Sequence, residues 1–348
     1  MDKFDSVCIT TYAEKEVNYN LFESLWIPCS AKFVTLGATP TSNGVIQIYE
    51  LNNGKVELIK EKKHDRSIKC GTFGASSLVN RHLATGDFCG NLDIWDLETS
   101  TSIYSVKAHQ NVIFSVDGIA GRSLHCGAPE IVTGSYDGFV KVWDPRQKEK
   151  PVAIMEPLDE MKRQCWAVTF GNAYNSQERI VGAGYDNGDL KLFDLRNMAL
   201  SDEFNLPDGI CSLEFDRKDI KMNKLLATGL EDNISLCIMR NRSSYQYPII
   251  TERVHRSTVW CGKHLPQNRD IFMTCGGSGS LCLWKYNYCS DDPSSDSGAL
   301  KVIQNNTVTN QCITSFDWSP DKIGLAVCSS MDQMIRLMIV SRLNQYSQ

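Results

Sequence analysis

The stretch IVTGSYDGFVKVWDP (131–145) decides the fold of this chain. It indicates an apolar strand, a tight turn with an acid and a glycine, and a second strand of alternating polarity that ends in an aromatic residue. Three other stretches repeat this pattern clearly, LATGDFCGNLDIWDL (83–97), IVGAGYDNGDLKLFDL (180–195) and FMTCGGSGSLCLWKY (272–286). Three weaker copies are FVTLGATPTSNGVIQIYEL (33–51), LLATGLEDNISLCIM (225–239) and LAVCSSMDQMIRLMIV (325–340).

The copies recur at an interval that is typical of one architecture. The position of the terminal aromatic residue falls, in chain order, at Tyr49, Trp95, Trp143, Phe193, Cys237, Trp284 and Met338. Spacings in the forties or slightly above match the four-stranded blade of a WD-repeat propeller. The segments ahead of the copies are predicted to be inner strands lining a central channel: IKCGTF, IFSVDG, CWAVTF, ICSLEF, TVWCGKH and CITSFDW. The sequence therefore predicts an all-β, seven-bladed WD-repeat β-propeller over residues 13–342.

The two ends of the chain are expected to close the ring together. Few residues follow the last apolar strand (335–340), so that blade lacks an outer strand, and an open sheet edge is unfavourable. We expect residues 1–12, with the apolar segment 6–12, to complete the last blade, and residues 343–348 to form a tail. Deleting residues 1–12 should then lower the melting temperature markedly. The polar insert 290–299 is expected to be an exposed loop.

The composition of the chain argues against several classes of function. The net charge is -5 with acidic and basic residues well mixed, so a surface that follows nucleic-acid phosphates is not expected. Neither a signal core nor a long apolar run is present, which predicts no membrane segment. The 14 cysteines lack paired zinc spacings and are expected to be buried thiols in a reducing cytoplasm, with no metal and no cofactor. We expect a monomer.

WD blades are held together by a chain of hydrogen bonds that joins a loop His, a strand Ser or Thr, a turn Asp and the terminal Trp. Blade three supplies all four residues: His109, Thr133, Asp137 and Trp143. Blade two supplies His64, Thr85 and Trp95, with Cys89 at the turn; blade six supplies His255, Thr274 and Trp284, with Ser278 at the turn. A His, an Asp and a nearby Ser can also form a hydrolytic triad. Because the spacing repeats with the blade, we favour the structural role and expect no enzyme.

The face that carries the turn acids is the predicted contact surface. The residue before each turn acid position is apolar or aromatic in five blades: Phe88, Tyr136, Tyr185, Leu230 and Met331. Three inner strands begin near the same face with Phe114, Trp166 and Trp260. Aromatic residues are enriched at interface hot spots, so together they suggest a protein dock at one mouth of the channel. The alternative is that they pack against neighbouring blades.

The opposite face offers Arg146 in WDPR and Arg196 in FDLR, on successive blades. This pattern resembles the motif by which some WD proteins join a cullin-type ubiquitin ligase through its propeller adaptor. A substrate receptor of such a ligase is therefore the alternative function. The ordinary interpretation is a surface Arg that pairs with a neighbouring acid.

Longer strings carry a more specific resemblance. Among them are WIPCSAKFVTLG (26–37), IKCGTFGASSL (68–78), GAPEIVTGSYDGFVKVWDPRQKEKPVAIMEP (127–157), CWAVTFGNAYNSQERIVGAGYDNGDLKLFDLRNMAL (165–200), CSLEFDRKDIKMNKLLATGLE (211–231), HLPQNRDIFMTCGGSGSLCLWKY (264–286) and DWSPDKIGLAVCSSMDQ (317–333). They resemble the Monad-type WD-repeat proteins, the WD-repeat axonemal dynein assembly factors, over essentially the whole chain.

The resemblance implies a single cytoplasmic propeller without catalytic residues. It implies association with the co-chaperone complex of RuvB-like ATPases, PIH-domain proteins and a TPR adaptor, together with its prefoldin-like module. It also implies a role in assembling axonemal dynein arms, with dynein chains or their assembly factors as further partners, and a link to apoptosis. The chain departs from the family pattern in blade five, which has SLCIMRN where a Phe-Asp ending is expected.

Overall fold

A computed structural model describes residues 7–120, 129–147, 149–157, 163–173, 178–239, 247–288 and 298–346. An N-terminal strand, β1 (Cys8–Glu16), precedes the first blade. The strands of blades one to four are β2 (Asn20–Trp26), β3 (Lys32–Ala38), β4 (Gly44–Asn52), β5 (Lys55–His64); β6 (Ile68–Thr72), β7 (Leu83–Asp87), β8 (Asn91–Asp96), β9 (Thr101–Lys107); β10 (Ile113–Gly118), β11 (Ile131–Ser135), β12 (Val140–Trp143), β13 (Ala153–Met155); β14 (Cys165–Gly171), β15 (Ile180–Tyr185), β16 (Asp189–Asp194) and β17 (Ala199–Asn205). Those of blades five to seven are β18 (Ile210–Phe215), β19 (Lys224–Gly229), β20 (Asn233–Ile238), β21 (Ile249–Arg253); β22 (Val259–Leu265), β23 (Asn268–Gly276), β24 (Ser280–Tyr288), β25 (Gly298–Thr307); β26 (Ile313–Trp318), β27 (Leu325–Ser330) and β28 (Met334–Ser341).

The strands form seven antiparallel four-stranded sheets. In blades one to six, four consecutive strands pair in chain order from the channel outwards, and blade seven has the order β26-β27-β28-β1. Each core cluster joins neighbouring blades; one, for example, packs Ile46 and Ile48 of blade one against Leu83 and Trp95 of blade two. Second and third strands are buried on both sides because each blade is packed between two others. The predicted all-β, seven-bladed propeller is confirmed.

The predicted alignment of the seven copies corresponds to one position in the sheets. Trp95 pairs with Leu83 and Trp143 with Ile131, the first residues of β7 and β11. In blade four, Phe193 pairs with Val181 and not with Ile180, so β15 is displaced by one residue from the sequence alignment. This displacement decides which side chain of blade four reaches the channel mouth.

The N-terminal strand closes the ring. β1 pairs with β28 from Cys8↔Ser341 to Glu16↔Met334, and it extends beyond residue 12, while residues 1–6 lie outside the described part of the chain. Arg336 of β28 is buried and donates to Glu14 of β1 at 3.0 Å. The fold is therefore closed by the N-terminal strand, as predicted. At the other end, a short 3-10 turn begins at Leu343, which packs into the core of the last blade.

Two details differ from the expectations. The inner strand of blade one is β2, in a segment that the repeat pattern did not single out, since the first copy was recognised only from residue 33. The insert 290–299 falls mostly outside the described residues, but its last two residues already belong to β25.

The loops of the propeller lie on two faces. We define the upper face as the one with the turns between second and third strands and the loops from each outer strand to the next inner strand. The lower face carries the remaining connections. Over the described residues, no helix is long and apolar enough to cross a membrane.

Candidate docking surface and the networks that support it

His109 is the centre of the blade-three network. Its Nε2 lies 2.8 Å from Thr133 Oγ1, and its Nδ1 lies 3.1 Å from Asp137 Oδ1. The indole of Trp143 donates to the same Thr133 oxygen at 3.0 Å. Because a neutral imidazole donates from one nitrogen and accepts at the other, the bonds run from Trp to Thr, from Thr to His and from His to Asp. The structure thus brings the four predicted residues together with every donor used.

The protonation states support a structural role for this network. Burial lowers the pKa of His109, and the bond to Asp137 only partly opposes that shift. Burial also opposes ionisation of Asp137, but its bonds with His109 and with backbone N–H groups outweigh it and lower the pKa to about 2. The imidazole is therefore neutral, fixed by a carboxylate, and its side chain is fully buried away from any substrate.

Blade six forms a similar network with a different last acceptor. His255 lies 2.7 Å from Thr274 Oγ1, which also accepts from the indole of Trp284 at 2.9 Å. The other imidazole nitrogen contacts Ser280 Oγ at 3.0 Å, and Ser278 lies one step further, 3.3 Å from Ser280. The partner of His255 is therefore Ser280 and not the predicted Ser278. Without a carboxylate beside it, burial lowers the pKa of His255 to about 4.

Blade two departs from the prediction for His64. The indole of Trp95 donates to Thr85 at 2.8 Å, but His64 makes no bond to Thr85. Its ring packs edge-on against Trp95, and Nε2 lies 3.7 Å from Asp93. Arg66 takes the position of the missing His and donates to Asp87 at 2.5 Å and to Asp93 at 3.0 Å. The physical reason is that Cys89 offers no carboxylate at the turn, and the two acids elsewhere in the blade require a cation.

The His64, Asp87 and Asp93 ligand atoms lie within 4.8 Å of one another, a spacing compatible with a metal ion. The guanidinium of Arg66 already bridges the two carboxylates. Because a bound cation would have to displace that ion pair, we interpret the cluster as a structural salt bridge.

Acids on the inner strands connect neighbouring blades around the channel. Each accepts a backbone N–H of a neighbouring inner strand; the pairs are Glu23 with Gly71, Asp117 with Phe170, Glu214 with His264, and Asp317 with Trp26. Burial raises the pKa of Glu23 and of Asp317 to about 7, against the opposing charge of Lys263. These bonds fix the inner strands that present the channel mouth.

The mouth on the upper face carries exposed aromatic side chains. Phe88 and Tyr136 are 42% and 47% exposed, and they lie beside the half-buried rings of Phe22, Phe114 and Trp166. Ring centroids are 5.2 Å apart for Phe22 and Phe88, 6.2 Å for Phe114 and Tyr136, and 5.7 Å for Phe114 and Trp166. We call these five residues the aromatic arc. Phe22 was missed from the sequence because its strand, β2, was not recognised.

In blades five to seven the rim carries apolar side chains that do not stack on one another. Leu230, Trp260 and Met331, all predicted from the sequence, are exposed at the mouth in blades five to seven. The Trp260 indole lies close to Gly277, where an added Cβ would come 3.4 Å from Nε1. A glycine at this position leaves space for the ring to lie over the turn.

The prediction for Tyr185 is wrong. Tyr185 is buried in the core between blades three and four because β15 is displaced by one residue. The residue that occupies the rim position in blade four is Asp186, whose N–H donates to Gln164 O just as Tyr136 N–H donates to Val112 O. The extra residue of the 180–195 copy relative to 131–145 was the signal for this shift.

Arg146 and Arg196 lie on the lower face, in the turns after β12 and β16. Each is mostly exposed and bonds the acid of its own motif; Arg146 donates to Asp144 at 2.8 Å, and Arg196 to Asp194 at 3.4 Å. Both guanidinium groups therefore remain accessible while their orientation is set by a neighbouring carboxylate.

Seven four-stranded blades, with a His–Thr–Trp network in blades three and six, define a WD-repeat propeller. Residues 100–144 and 300–337 match the family model for the WD domain, G-beta repeat. Relatives that match along their full length identify the family within the WD-repeat class. The chain is 54% identical to dynein axonemal assembly factor 10 of Homo sapiens over 356 residues, which cover 99% of this chain and 100% of that protein. The namesake proteins of Xenopus laevis (55% over 348 residues, 97% of each chain) and Chlamydomonas reinhardtii (42% over 357 residues, 99% of this chain and 100% of the relative) are also similar. The chain belongs to the dynein axonemal assembly factor 10 family.

Proposed function

We propose that this chain is a non-catalytic co-chaperone adaptor for the cytoplasmic preassembly of axonemal dynein arms. Its partners are the RuvB-like ATPase, PIH-domain, TPR-adaptor and prefoldin-like chaperone complex, and the dynein chains or assembly factors that this complex handles. The names of the relatives support the dynein part of this role. The buried, fully bonded His109 supports a structural and not a catalytic use of the His–Asp pair.

The observation that carries the proposal is the aromatic arc with its apolar rim. Exposed aromatic groups that cluster around one depression are unusual on a monomer surface and typical of interface hot spots. Propeller loops on a rigid ring place such groups at fixed positions. The upper mouth is therefore the surface on which we place partner docking.

Substitution of Tyr136→Ala together with Trp166→Ala tests this surface. The tagged chain is expressed in ciliating cells, and co-purified proteins are identified by mass spectrometry. We expect the RuvB-like ATPases, PIH proteins and dynein chains to be lost from the double variant. The matched control is Val79→Ala with Ile323→Ala, two exposed apolar residues on lower-face loops, which should keep all partners. Loss of partners from both variants, or from neither, would contradict docking at the mouth.

A second candidate function is that of substrate receptor for a cullin-type ubiquitin ligase. The two exposed arginines at equivalent turns of adjacent blades favour it. Arg146→Ala with Arg196→Ala should then remove the cullin adaptor from the purified complexes and leave the RuvB-like ATPases in place. If the adaptor is absent from complexes of the native chain, this second function is wrong.

A further inference from the structure

Three acidic residues are neighbours on the upper face where blades four and five meet. Asp186 is in the β15–β16 turn, Asp208 in the β17–β18 loop and Glu231 in the β19–β20 turn. Asp208 accepts from Glu231 N–H at 3.1 Å, and an added Cβ on the next residue, Gly209, would come 2.4 Å from Asp186 O. We call these three residues the acidic group.

The acidic group has no counterion within the described part of the chain. Among the described residues, no Lys, Arg or His forms an ion pair with Asp186, Asp208 or Glu231. Asp186 Oδ1 is buried and has no hydrogen-bond partner in the described part of the chain. Burial and then the charge of Glu231 raise the pKa of Asp208. Asp186 and Asp208 are only partly buried and Glu231 is exposed, so a cation of another molecule can reach the group and balance its charge.

This group adjoins the aromatic arc through one residue. Gln164 O accepts from Asp186 N–H at 3.1 Å, and Gln164 Oε1 accepts from the indole of Trp166 at 2.9 Å. The Asp186 backbone and the Trp166 indole therefore both bond Gln164, which makes Asp186 a near neighbour of the aromatic arc. On the far side of the arc the charge is reversed, since Lys69 lies 5.2 Å from the Phe22 ring centre.

Three other upper-face acids, in blades two, three and seven, already have partners. Asp137 bonds His109, Asp87 bonds Arg66, and Asp332 bonds Arg336. Only at blades four and five, within the described residues, does the rim combine a carboxylate in the rim position with a neighbouring aromatic ring and no counterion. This difference between equivalent rim positions indicates the chemical character of the partner that binds at the mouth.

We propose that the partner segment which docks on the mouth carries a Lys or Arg directly beside apolar residues, with its cation at the acidic group and its apolar side chains on the aromatic arc. An Arg would bond the carboxylate and stack on Trp166 at once, since a guanidinium binds both carboxylates and aromatic faces. The inference rests on the mouth being the docking surface of the proposed function, and it adds the chemistry of what docks there.

Selection from a random peptide library tests this chemistry. Phage-displayed peptides of about twelve residues are selected on the full-length chain and, in parallel, on the Asp186→Asn variant. The matched control is Asp321→Asn, an exposed acid in a lower-face loop. Peptides selected on the native chain and on the control should be enriched in Lys or Arg next to Trp, Phe or Leu, and the Asp186→Asn selection should lose the basic residue and keep the apolar ones.

Affinities then measure the contribution of the charge. A synthetic peptide from the native selection should bind Asp186→Asn about ten-fold more weakly and Asp321→Asn unchanged, because only the first change removes a carboxylate of the acidic group. Added salt should weaken binding to the native chain more than binding to Asp186→Asn. Equal affinities for the native chain and Asp186→Asn, selected peptides without basic residues, or a selection that yields no binder sensitive to Trp166→Ala would each overturn the inference.

A failure of this inference can be distinguished from a failure of the proposed function. If Tyr136→Ala with Trp166→Ala loses the cellular partners while the selected peptides carry no basic residue, the mouth docks partners of another chemistry and only the inference fails. If the double variant keeps its cellular partners, the proposed docking surface fails, whatever the peptides contain.

Discussion

Blades two and three offer the same residue types and build different networks. Both have a His ahead of the inner strand, a Thr on the second strand and a Trp at the end of the third, and in both the Trp donates to the Thr. In blade three the imidazole joins Thr133 to Asp137. In blade two the imidazole takes no part in the network, and Arg66 bonds two buried acids, Asp87 and Asp93.

The loop before the inner strand explains the difference. Five residues (108–112) join β9 to β10, and five (254–258) join β21 to β22, so that His109 and His255 lie in a loop wide enough to turn the ring into the blade. Only three residues (65–67) join β5 to β6, and His64 remains the last residue of the outer strand. The longer arginine side chain reaches the position that the imidazole does not. Residue type alone therefore does not decide which hydrogen-bond network forms. The length of the loop and the residue at the turn decide which side chain bonds the acids of the blade.

The largest expected effect comes from Arg66→Ala. Asp93, which is buried, would lose its charged partner, and uncompensated buried charges cost about 3–5 kcal/mol. Urea unfolding of the native chain and the variant measures the change in free energy. A loss below about 1 kcal/mol would mean that the Arg66 bridge is not what holds blade two.

The same variant should also change how stability depends on pH. In the native chain the pKa of His64 is lowered by burial and then by the charge of Arg66, while Asp93 opposes the shift. Without Arg66, the pKa of His64 rises toward or above its unfolded value, and a protonated His64 pairs with Asp93. Stability gained in this way is present at low pH and lost as pH rises through the new pKa. The deficit of Arg66→Ala should therefore be smaller at about pH 5 than at about pH 8; equal deficits would exclude this pairing.

Asp137→Ala should destabilise blade three by about 2–3 kcal/mol, because His109 and two backbone N–H groups lose their acceptor inside the protein. The reciprocal change, Cys89→Asp in blade two, should give no gain, since His64 is not oriented toward that turn. Thermal or urea unfolding compares the two variants. A stabilised Cys89→Asp variant would show that the turn residue alone, and not loop length, decides the network.

A smaller difference separates Thr133→Val from Thr85→Val. Thr133 bonds two side chains, His109 and Trp143, while Thr85 bonds the side chain of Trp95 alone. The expected losses in unfolding free energy are about 2 and about 1 kcal/mol, since each buried polar atom left unpaired costs on that order. Equal losses would indicate that the His109–Thr133 bond contributes nothing.

The smallest effect is a gain. Ser280→Asp in blade six places a carboxylate next to His255 Nδ1, where it can act as Asp137 does in blade three, although from a position two residues further along the chain. We expect about 1 kcal/mol of added stability near neutral pH, together with a higher pKa for His255 than its present value of about 4. NMR titration of the His255 ring checks the second part. An unchanged pKa would mean that the new side chain does not reach the imidazole.

The sequence predicted the ring and the four residues of the blade-three network because both follow from a repeated pattern. It predicted closure by the N-terminal strand because the last blade would otherwise have an open sheet edge. The prediction failed where a shift of one residue in strand register changed which side chain lies at the rim. The extra residue in blade four moved Tyr185 into the core and put Asp186 at the rim, and strand pairing alone reveals that shift. It also assigned His64 by spacing from the inner strand, although the outer strand continues to His64. Phe22 was missed because the first repeat lacks a recognisable inner-strand pattern.

Counting dynein arms tests whether docking at the upper mouth is required for their assembly. Ciliated cells that lack their own family member are complemented with the native chain, with Tyr136→Ala plus Trp166→Ala, or with the lower-face control Val79→Ala plus Ile323→Ala. Axonemes are then examined by electron microscopy, with equal protein levels verified. We predict full arms with the native and control chains and missing arms with the mouth variant. Normal arms with the mouth variant would show that docking at the upper mouth is not required for arm assembly.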